Sequence, residues 1–334
     1  MKVLLTGAAG FIAFHVAERL LGRGCEVVGV DNLSPYYDVT LKEARLARLA
    51  GHGAFRLHRL DLSDREAIQS LFARERFDRV VHLGAQPGVR HSLEAPFDYV
   101  ESNLTGHLTV LEGCRQTGVG HLVYASSSSV YGLNRTPFRA SDRTDHPVSL
   151  YGATKKANEV MSHAYAHLFG VPATGLRFFT VYGPWGRPDM ATMKFARAIL
   201  AGEPIDVYGH GEMKRDFTYV GDIADSVVAL LDRAPEPDAS WAPEEGDPAA
   251  SSAPHRVFNI GNGEPVLLME FIRTLEGLLG RKANVVLKEL QPGDLIETSS
   301  DTEPLARLLG TVPYTPLAVG LARFVAWYRE YYGV

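Results

Sequence analysis

Cysteine is scarce in this chain: two in 334 residues, Cys25 and Cys114, each inside an apolar segment and far from any metal-ligand spacing. That argues against a disulfide framework or a metal site, and it fits a reducing cytoplasm. Basic excess is missing as well. Lys and Arg number 34 against 39 Asp and Glu, a formal charge of −5, so no nucleic-acid partner is expected. No uncharged apolar run approaches the roughly 20 residues of a membrane helix. The apolar start Val3-Leu4-Leu5 breaks at Thr6-Gly7 and is soon followed by His15, Glu18 and Arg19, so no export signal or membrane association is expected. With 46% hydrophobic and 22% charged residues, the composition is that of a soluble cytoplasmic enzyme. Its length suits two small domains, or one large domain with an appended lobe.

The first half alternates short β-rich runs with helical ones. Strands are predicted at 2–6, 25–30, 55–60, 79–83 and 121–126, with helices at 11–21, 63–74 and 98–116. A long helix follows at 151–168 and a strand at 173–179. Strands separated by single helices imply parallel β-α-β units, hence an α/β fold with a doubly wound parallel sheet of Rossmann type. Such sheets place ligands at the carboxyl ends of their strands. Beyond 182 the pattern loosens: a Pro/Gly-rich loop at 183–189, a helix near 192–200, short segments around 204–220, a strand at 257–260 and an aromatic-rich amphipathic helix at 317–332. The expected organisation is a nucleotide-binding domain over 1–181, with returning segments near 217–233 and 256–261. A smaller mixed α/β substrate domain would take 182–216 and 262–334. Residues 234–255, rich in Pro, Ala, Ser, Asp and Glu, read as an exposed loop. The Tyr328, Tyr331 and Tyr332 cluster reads as helix packing rather than a base-stacking platform.

Gly7-Ala8-Ala9-Gly10-Phe11-Ile12-Ala13 falls between the first strand and the first helix. Its glycines permit a tight turn and close backbone approach, and the helix N-terminus offers unpaired N–H groups to a pyrophosphate. Asp31 stands about 20 residues on, at the end of the next strand. Ala13 takes the place of a third glycine, a position that governs helix–strand packing. Asp31 favours a free ribose 2′-OH and repels a 2′-phosphate, which points to NAD rather than NADP.

Tyr151-Gly-Ala-Thr-Lys155 puts a phenol and an ammonium at i and i+4, on one face of a helix. A free tyrosine, with a pKa near 10, is a poor base at neutral pH. A neighbouring Lys⁺ is expected to lower that value. Ahead of it, Ser126-Ser127-Ser128-Ser129 ends a strand that leads to the same cofactor edge.

These features, together with Asp61-Leu62 and Arg215-Asp-Phe-Thr-Tyr-Val, resemble the extended short-chain dehydrogenase/reductases that act on nucleotide sugars. Within that family three stretches are similar to UDP-glucuronate 4-epimerases: Gly88-Val-Arg90-x-Ser-Leu, His146-Pro-Val-Ser-Leu-Tyr151 and the long run from Leu176 through Thr180 and Arg187 to Met190. The resemblance implies that Tyr151 takes the 4-OH proton, Lys155 tunes it and holds the nicotinamide ribose, and Ser127 shares the hydrogen bond. It implies a tightly held NAD that removes the C4 hydride and returns it to the other face of a 4-keto sugar. Gly7, Ala9, Gly10, Phe11, Ile12, Asp31, Asn32, Asp61, Leu62, Leu83, Gln86, Asn103 and Ser126 would line the cofactor.

The reaction implied is interconversion of UDP-glucuronate and UDP-galacturonate without decarboxylation. Thr180 and Arg187 would hold the carboxylate, with Ser128 and Ser129 as further donors. Related 4,6-dehydratases carry an Asp-Glu pair where Ser128-Ser129 stands, and related decarboxylases a Glu. Arg187 has two other readings, a loop arginine paired with Asp189 or a diphosphate ligand. Arg215 is the resemblance's diphosphate ligand and Asp294 its uridine-ribose ligand. Arg90 faces sugar or phosphate, or is an ordinary surface arginine. A UDP-hexose 4-epimerase is the nearest alternative, ahead of a decarboxylase and of an NAD-binding sensor without chemistry. A homodimer is expected through the helices at 98–116 and 151–168, and no metal is expected.

Overall fold

The computed structural model describes residues 1–291, 294–310 and 314–334. Its centre is a parallel sheet whose strands include β1 (Lys2–Thr6), β2 (Glu26–Asp31), β3 (Phe55–Arg59), β4 (Arg79–His82), β5 (Leu122–Ser127) and β6 (Ala173–Phe178). A seventh strand, His255–Ile260, pairs beside β6, giving the spatial order 3-2-1-4-5-6-7. The order reverses between β1 and β4, and the crevice at that switch lies outside the carboxyl ends of both strands.

Period-two alternation sends successive side chains to opposite faces. Val3 and Leu5 of β1 join one core with Phe14, Val16 and Leu20 of helix Phe11–Gly22 and Ile223, Val227 and Leu230 of helix Val220–Leu231. Leu4 joins the other, with Ile68, Leu71 and Phe72 of helix Arg65–Glu75 and Val110 and Leu111 of helix Gly106–Thr117. Each such side chain, fully buried, contributes about 1.5–3 kcal/mol. Cys25 and Cys114 are free and buried.

A third core forms under the smaller lobe. Helix Leu268–Leu279 buries Leu268, Phe271, Ile272, Leu275 and Leu279, a stripe at helical spacing, against helices Ala191–Ala201 and Leu317–Tyr332. Phe217 stacks on Phe271 at 4.2 Å, which welds the lobe to the returning strand Phe217–Tyr219. Trp327 stacks on Tyr331 and both contact Trp185, so the aromatics of the last helix do pack. None of the described helices is long and apolar enough to cross a membrane.

Several elements differ from the sequence expectation. The helix expected at 98–116 is interrupted: Pro96–Tyr99 makes one turn, Val100–Thr105 widens to a π-helical turn, and Gly106–Thr117 continues as α-helix. Inside the wide turn the Asn103 carbonyl accepts from Asn158 Nδ2 at 2.7 Å, a tertiary bond a helix interior does not normally make. Helix Val39–Ala50 went unpredicted because Lys42 and Arg45 sit on its buried face among Leu41, Leu46 and Leu49 and blur its periodicity. The stretch 234–255 is mostly exposed up to 248. Its second part packs: Ala249, Ser251 and Ala253 are buried, and the carbonyls of Ala249 and Pro254 accept from Val257 and Ala173.

Candidate active site

Backbone geometry builds one end of the site. Gly7, just past β1, has φ +68°, and a Cβ there would stand 2.8 Å from Gly84 at the end of β4, so two chain segments meet where only glycine fits. Gly10 N–H donates to the Gly7 carbonyl at 2.7 Å, closing the turn, and Phe11 begins the helix with no side-chain cap. The first-turn N–H groups are therefore left to an anion. Asp31 ends β2 with its carboxylate fixed by Ala9 N–H (3.0 Å) and Leu33 N–H (2.8 Å). Asn32 donates to Asp61 at 2.7 Å. Burial would raise the Asp61 pKa, but hydrogen bonds from Ser63 and Asn32 outweigh it and hold the carboxyl low.

The turn opens into a cavity of about 610 Å³. Gly7, Gly10, Phe11, Ile12, Asp31, Asn32, Asp61, Leu62, Leu83 and Gln86 line it, as do Ser126, Ser127, Tyr151 and Lys155. Ala9 and Asn103 do not. Ala9 is buried behind the turn. Asn103 clasps the Gln86 backbone instead, accepting its N–H at 2.8 Å and donating to its carbonyl at 3.1 Å.

Strand β5 delivers Ser127, whose Oγ accepts from Ser129 N–H at 3.1 Å and starts the turn Ser128–Tyr131. Helix Leu150–Phe169, capped by Ser149 Oγ on Gly152 N–H, carries Tyr151 and Lys155. Lys155 is 4% exposed and donates to the Ala125 carbonyl at 3.0 Å. Burial lowers its pKa to about 8, which leaves it mostly charged at neutral pH. Tyr151 corrects an expectation. Burial raises its pKa, and the groups that pull it back are the Ser127 hydroxyl and the Arg187 charge, not Lys155. The Ser126 hydroxyl is committed to Glu159 at 2.6 Å.

Ser128, Ser129, Thr180 and Arg187 line the same cavity. Arg187 does pair with Asp189, Nε to Oδ1 at 3.0 Å and Nη2 to Oδ2 at 2.6 Å, and Tyr36 donates to Asp189 at 3.3 Å. Burial opposes the guanidinium charge, but Asp189 more than compensates and raises its pKa. Arg90, Arg215 and Asp294 gather in a separate cluster outside the cavity lining, next to its Gly88–Val89 wall. Arg90 Nη2 meets Asp294 at 2.8 Å and its guanidinium lies 5.1 Å from the Tyr208 ring. Arg215 donates to the Ile296 carbonyl, and burial lowers its pKa while Asp294 opposes the drop.

Sequence reasoning missed Gly84, Tyr36, Tyr37 and Lys42, which also line the cavity. Gly84 alone had a readable signal, a glycine directly after the strand expected at 79–83; a Cβ added there would strike Leu62 at 2.7 Å.

Residues 3–246 match the model of the NAD dependent epimerase/dehydratase family. The chain belongs to that family. Among its relatives, an uncharacterized 37.6 kDa protein of the cld 5′ region of Escherichia coli O111:H- is 58% identical, covering 100% of both chains. A probable UDP-glucuronate 4-epimerase of Rhizobium meliloti (strain 1021) is 48% identical, over 99% of this chain and 98% of the relative. Among solved structures, the UDP-glucuronic acid 4-epimerase of Bacillus cereus, in complex with UDP-glucuronic acid and NAD, superposes with a TM-score of 0.88. It is 32% identical, over 99% of this chain and 100% of that one. This epimerase/dehydratase family member uses NAD, and its glycine cradle, free helix N-terminus and fixed Asp31 fit that dinucleotide.

Proposed function

We propose that the protein interconverts UDP-glucuronate and UDP-galacturonate at C4 without losing CO₂. The observation that carries this reading is that one cavity sets Arg187, Thr180, Ser128 and Ser129 beside Ser127, Tyr151 and Lys155, with serines where an elimination would need acids. The full-length similarity to proteins named UDP-glucuronate 4-epimerases supports it.

When bound, NAD supplies the hydride acceptor and donor. Tyr151 takes the proton of the C4 hydroxyl, Ser127 shares that hydrogen bond and, with the Arg187 charge, favours the phenolate, while Lys155 holds the nicotinamide ribose. Gly7, Gly10 and Asp31 hold the dinucleotide. A C4 ketone beside a C5 carboxylate is a β-keto acid, which loses CO₂ when the bond to the carboxylate aligns with the carbonyl π system. Thr180 and Arg187 keep it from aligning. Nε and Nη2 of Arg187 are engaged by Asp189, so Nη1 and the second Nη2 hydrogen meet the substrate. Arg90, Arg215 and Asp294 receive the UDP end next to the Gly88–Val89 wall.

The Asp189 pairing is also the observation that favours a neutral-hexose epimerase, because it compensates the Arg187 charge from within. Purified protein incubated with UDP-glucuronate and followed by ¹H NMR separates the readings. UDP-galacturonate is the expected product. UDP-pentose with CO₂ identifies a decarboxylase, and no turnover with NAD bound refutes the proposal.

The same chain is proposed to form a homodimer. Phe97 (82% exposed), Val100, Leu108, Val160, Leu168 and Phe169 leave apolar surface on the 96–117 and 150–169 helices. Light scattering after size exclusion reads the mass directly, and a monomer at micromolar concentration contradicts it.

A further inference from the structure

Arg45 is fully buried, at 0% exposure, on the inner face of helix Val39–Ala50. Its guanidinium is completely engaged. Nη1 donates to the Ala9 carbonyl and the Tyr37 hydroxyl, both at 2.8 Å; Nη2 donates to the carbonyls of Trp185 (2.6 Å) and Gly186 (3.3 Å); Nε reaches Trp185 at 3.2 Å. All five bonds end on neutral oxygens, four in number because the Trp185 carbonyl accepts twice. Among the described residues no carboxylate pairs with it, which sets it apart from Arg177, the other deeply buried arginine. Hydrogen bonds satisfy its donors, and the Asp31 carboxylate favours its charge only from a distance, so burial outweighs that help and disfavours the cation. An arginine cannot escape by losing its proton.

The acceptors explain its placement. Ala9 belongs to the phosphate turn; its N–H is held by Asp31 and its carbonyl by Arg45, so the peptide groups on both sides of the residue are fixed. Trp185 has φ +63°, a left-handed conformation uncommon for a side chain of that size, and with Gly186 it immediately precedes Arg187. One guanidinium therefore joins the dinucleotide cradle to the loop that presents the carboxylate-binding arginine.

We propose that Arg45 is a positioning residue that couples the two halves of the site: its buried charge favours the dinucleotide pyrophosphate at the Gly7–Gly10 turn, and its fork on Trp185 and Gly186 sets the aim of Arg187. The second half rests on the uronate reading above; the first does not. A dinucleotide held at this turn would supply further negative charge to the cation.

Two variants separate the roles. Arg45→Met removes charge and fork while keeping an unbranched apolar stem. Arg45→Lys keeps the charge but cannot reproduce the planar fork. NAD affinity is read without sugar, by fluorescence titration of protein stripped of cofactor, alongside far-UV circular dichroism and thermal melting. Arg45→Met is expected to weaken NAD at least tenfold. Arg45→Lys is expected to keep NAD affinity within about threefold, yet to raise KM for UDP-glucuronate at least fivefold with kcat little changed. A folded Arg45→Met that binds NAD within twofold of the parent overturns the cofactor half. Unchanged KM in Arg45→Lys overturns the coupling half. Should Arg45→Met fail to fold, Arg45→Lys decides alone: lost NAD affinity, or unaltered KM, refutes the proposal. A parent protein that binds NAD but ignores UDP-glucuronate refutes the functional reading instead and leaves the NAD comparison standing.

Discussion

Beneath the serine strand end lies a second buried arginine, and this one has its counter-ion. Arg177 of β6 meets Glu159 of helix Leu150–Phe169 twice, Nε to Oε1 at 2.8 Å and Nη2 to Oε2 at 2.9 Å, and both side chains are at most 4% exposed. Ser126 also donates to Glu159, and Tyr131 and Ala140 accept from Arg177. Each partner stabilises the other's charge: burial would raise the Glu159 pKa, and Arg177 more than reverses that. Glu159→Gln keeps the shape but strands the guanidinium, which costs about 3–5 kcal/mol. At about 2.1 cal/mol/K per residue, a chain of 334 residues has an unfolding entropy near 0.7 kcal/mol/K, so Tm falls by roughly 4–7 °C. Differential scanning calorimetry at pH 7.5 reads this shift. The double variant Glu159→Gln/Arg177→Met, which removes the stranded charge, is expected to recover at least half of it. A single-variant loss below about 1 kcal/mol, the range of an exposed pair, refutes the reasoning.

Tyr151→Phe is expected to retain NAD and UDP-sugar binding while kcat falls by at least about 100-fold, the lower range for loss of a positioned proton acceptor; stopped assays with equilibrium dialysis check it, and near-parental kcat removes Tyr151 from that role. Stability should also fall with acid in a particular window. Burial lowers the pKa of His82 and His255 to about 3 and of His121 to about 4, and pushes His107 well below its usual value. The unfolded chain takes up those protons below pH about 6.5 and the folded chain does not. Their contribution is thus complete above that pH and lost below it, by up to about 1.4 kcal/mol per histidine per pH unit. Thermal melts should drop more between pH 6.5 and 5 than between 8 and 6.5, and a flat Tm across the lower interval contradicts this.

What the sequence disclosed was set by short-range constraints. The Gly7–Gly10 turn was legible because backbone approach to Gly84 admits only glycine, and Tyr151 with Lys155 because i and i+4 share a helix face. Side-chain commitments made across the fold were not. Lys155 sits on the expected face but spends a proton on the Ala125 carbonyl, so its help to Tyr151 is not what residue spacing suggested. Asn103 reads as a cofactor ligand, and the π-turn aims it at the Gln86 peptide instead. Arg45 and Tyr36 gave no signal, because their partners at Trp185 and Asp189 lie 140 and 153 residues away. The smaller lobe was illegible for a similar reason: Pro204–Val207 and Asn284–Leu287 are four-residue strands that make sense only as a pair.

The function proposed above makes this cavity one built for a substrate carboxylate. Its most direct test is the ratio of kcat/KM for UDP-glucuronate to that for UDP-glucose, in the parent protein and in Arg187→Met. A charge-assisted hydrogen bond is worth about 1.5–3 kcal/mol, roughly 10- to 150-fold. The parent should therefore prefer the uronate by at least about tenfold, and Arg187→Met should lose most of that preference chiefly by losing uronate turnover. Equal ratios in the two proteins, or a parent that prefers UDP-glucose, contradict the account.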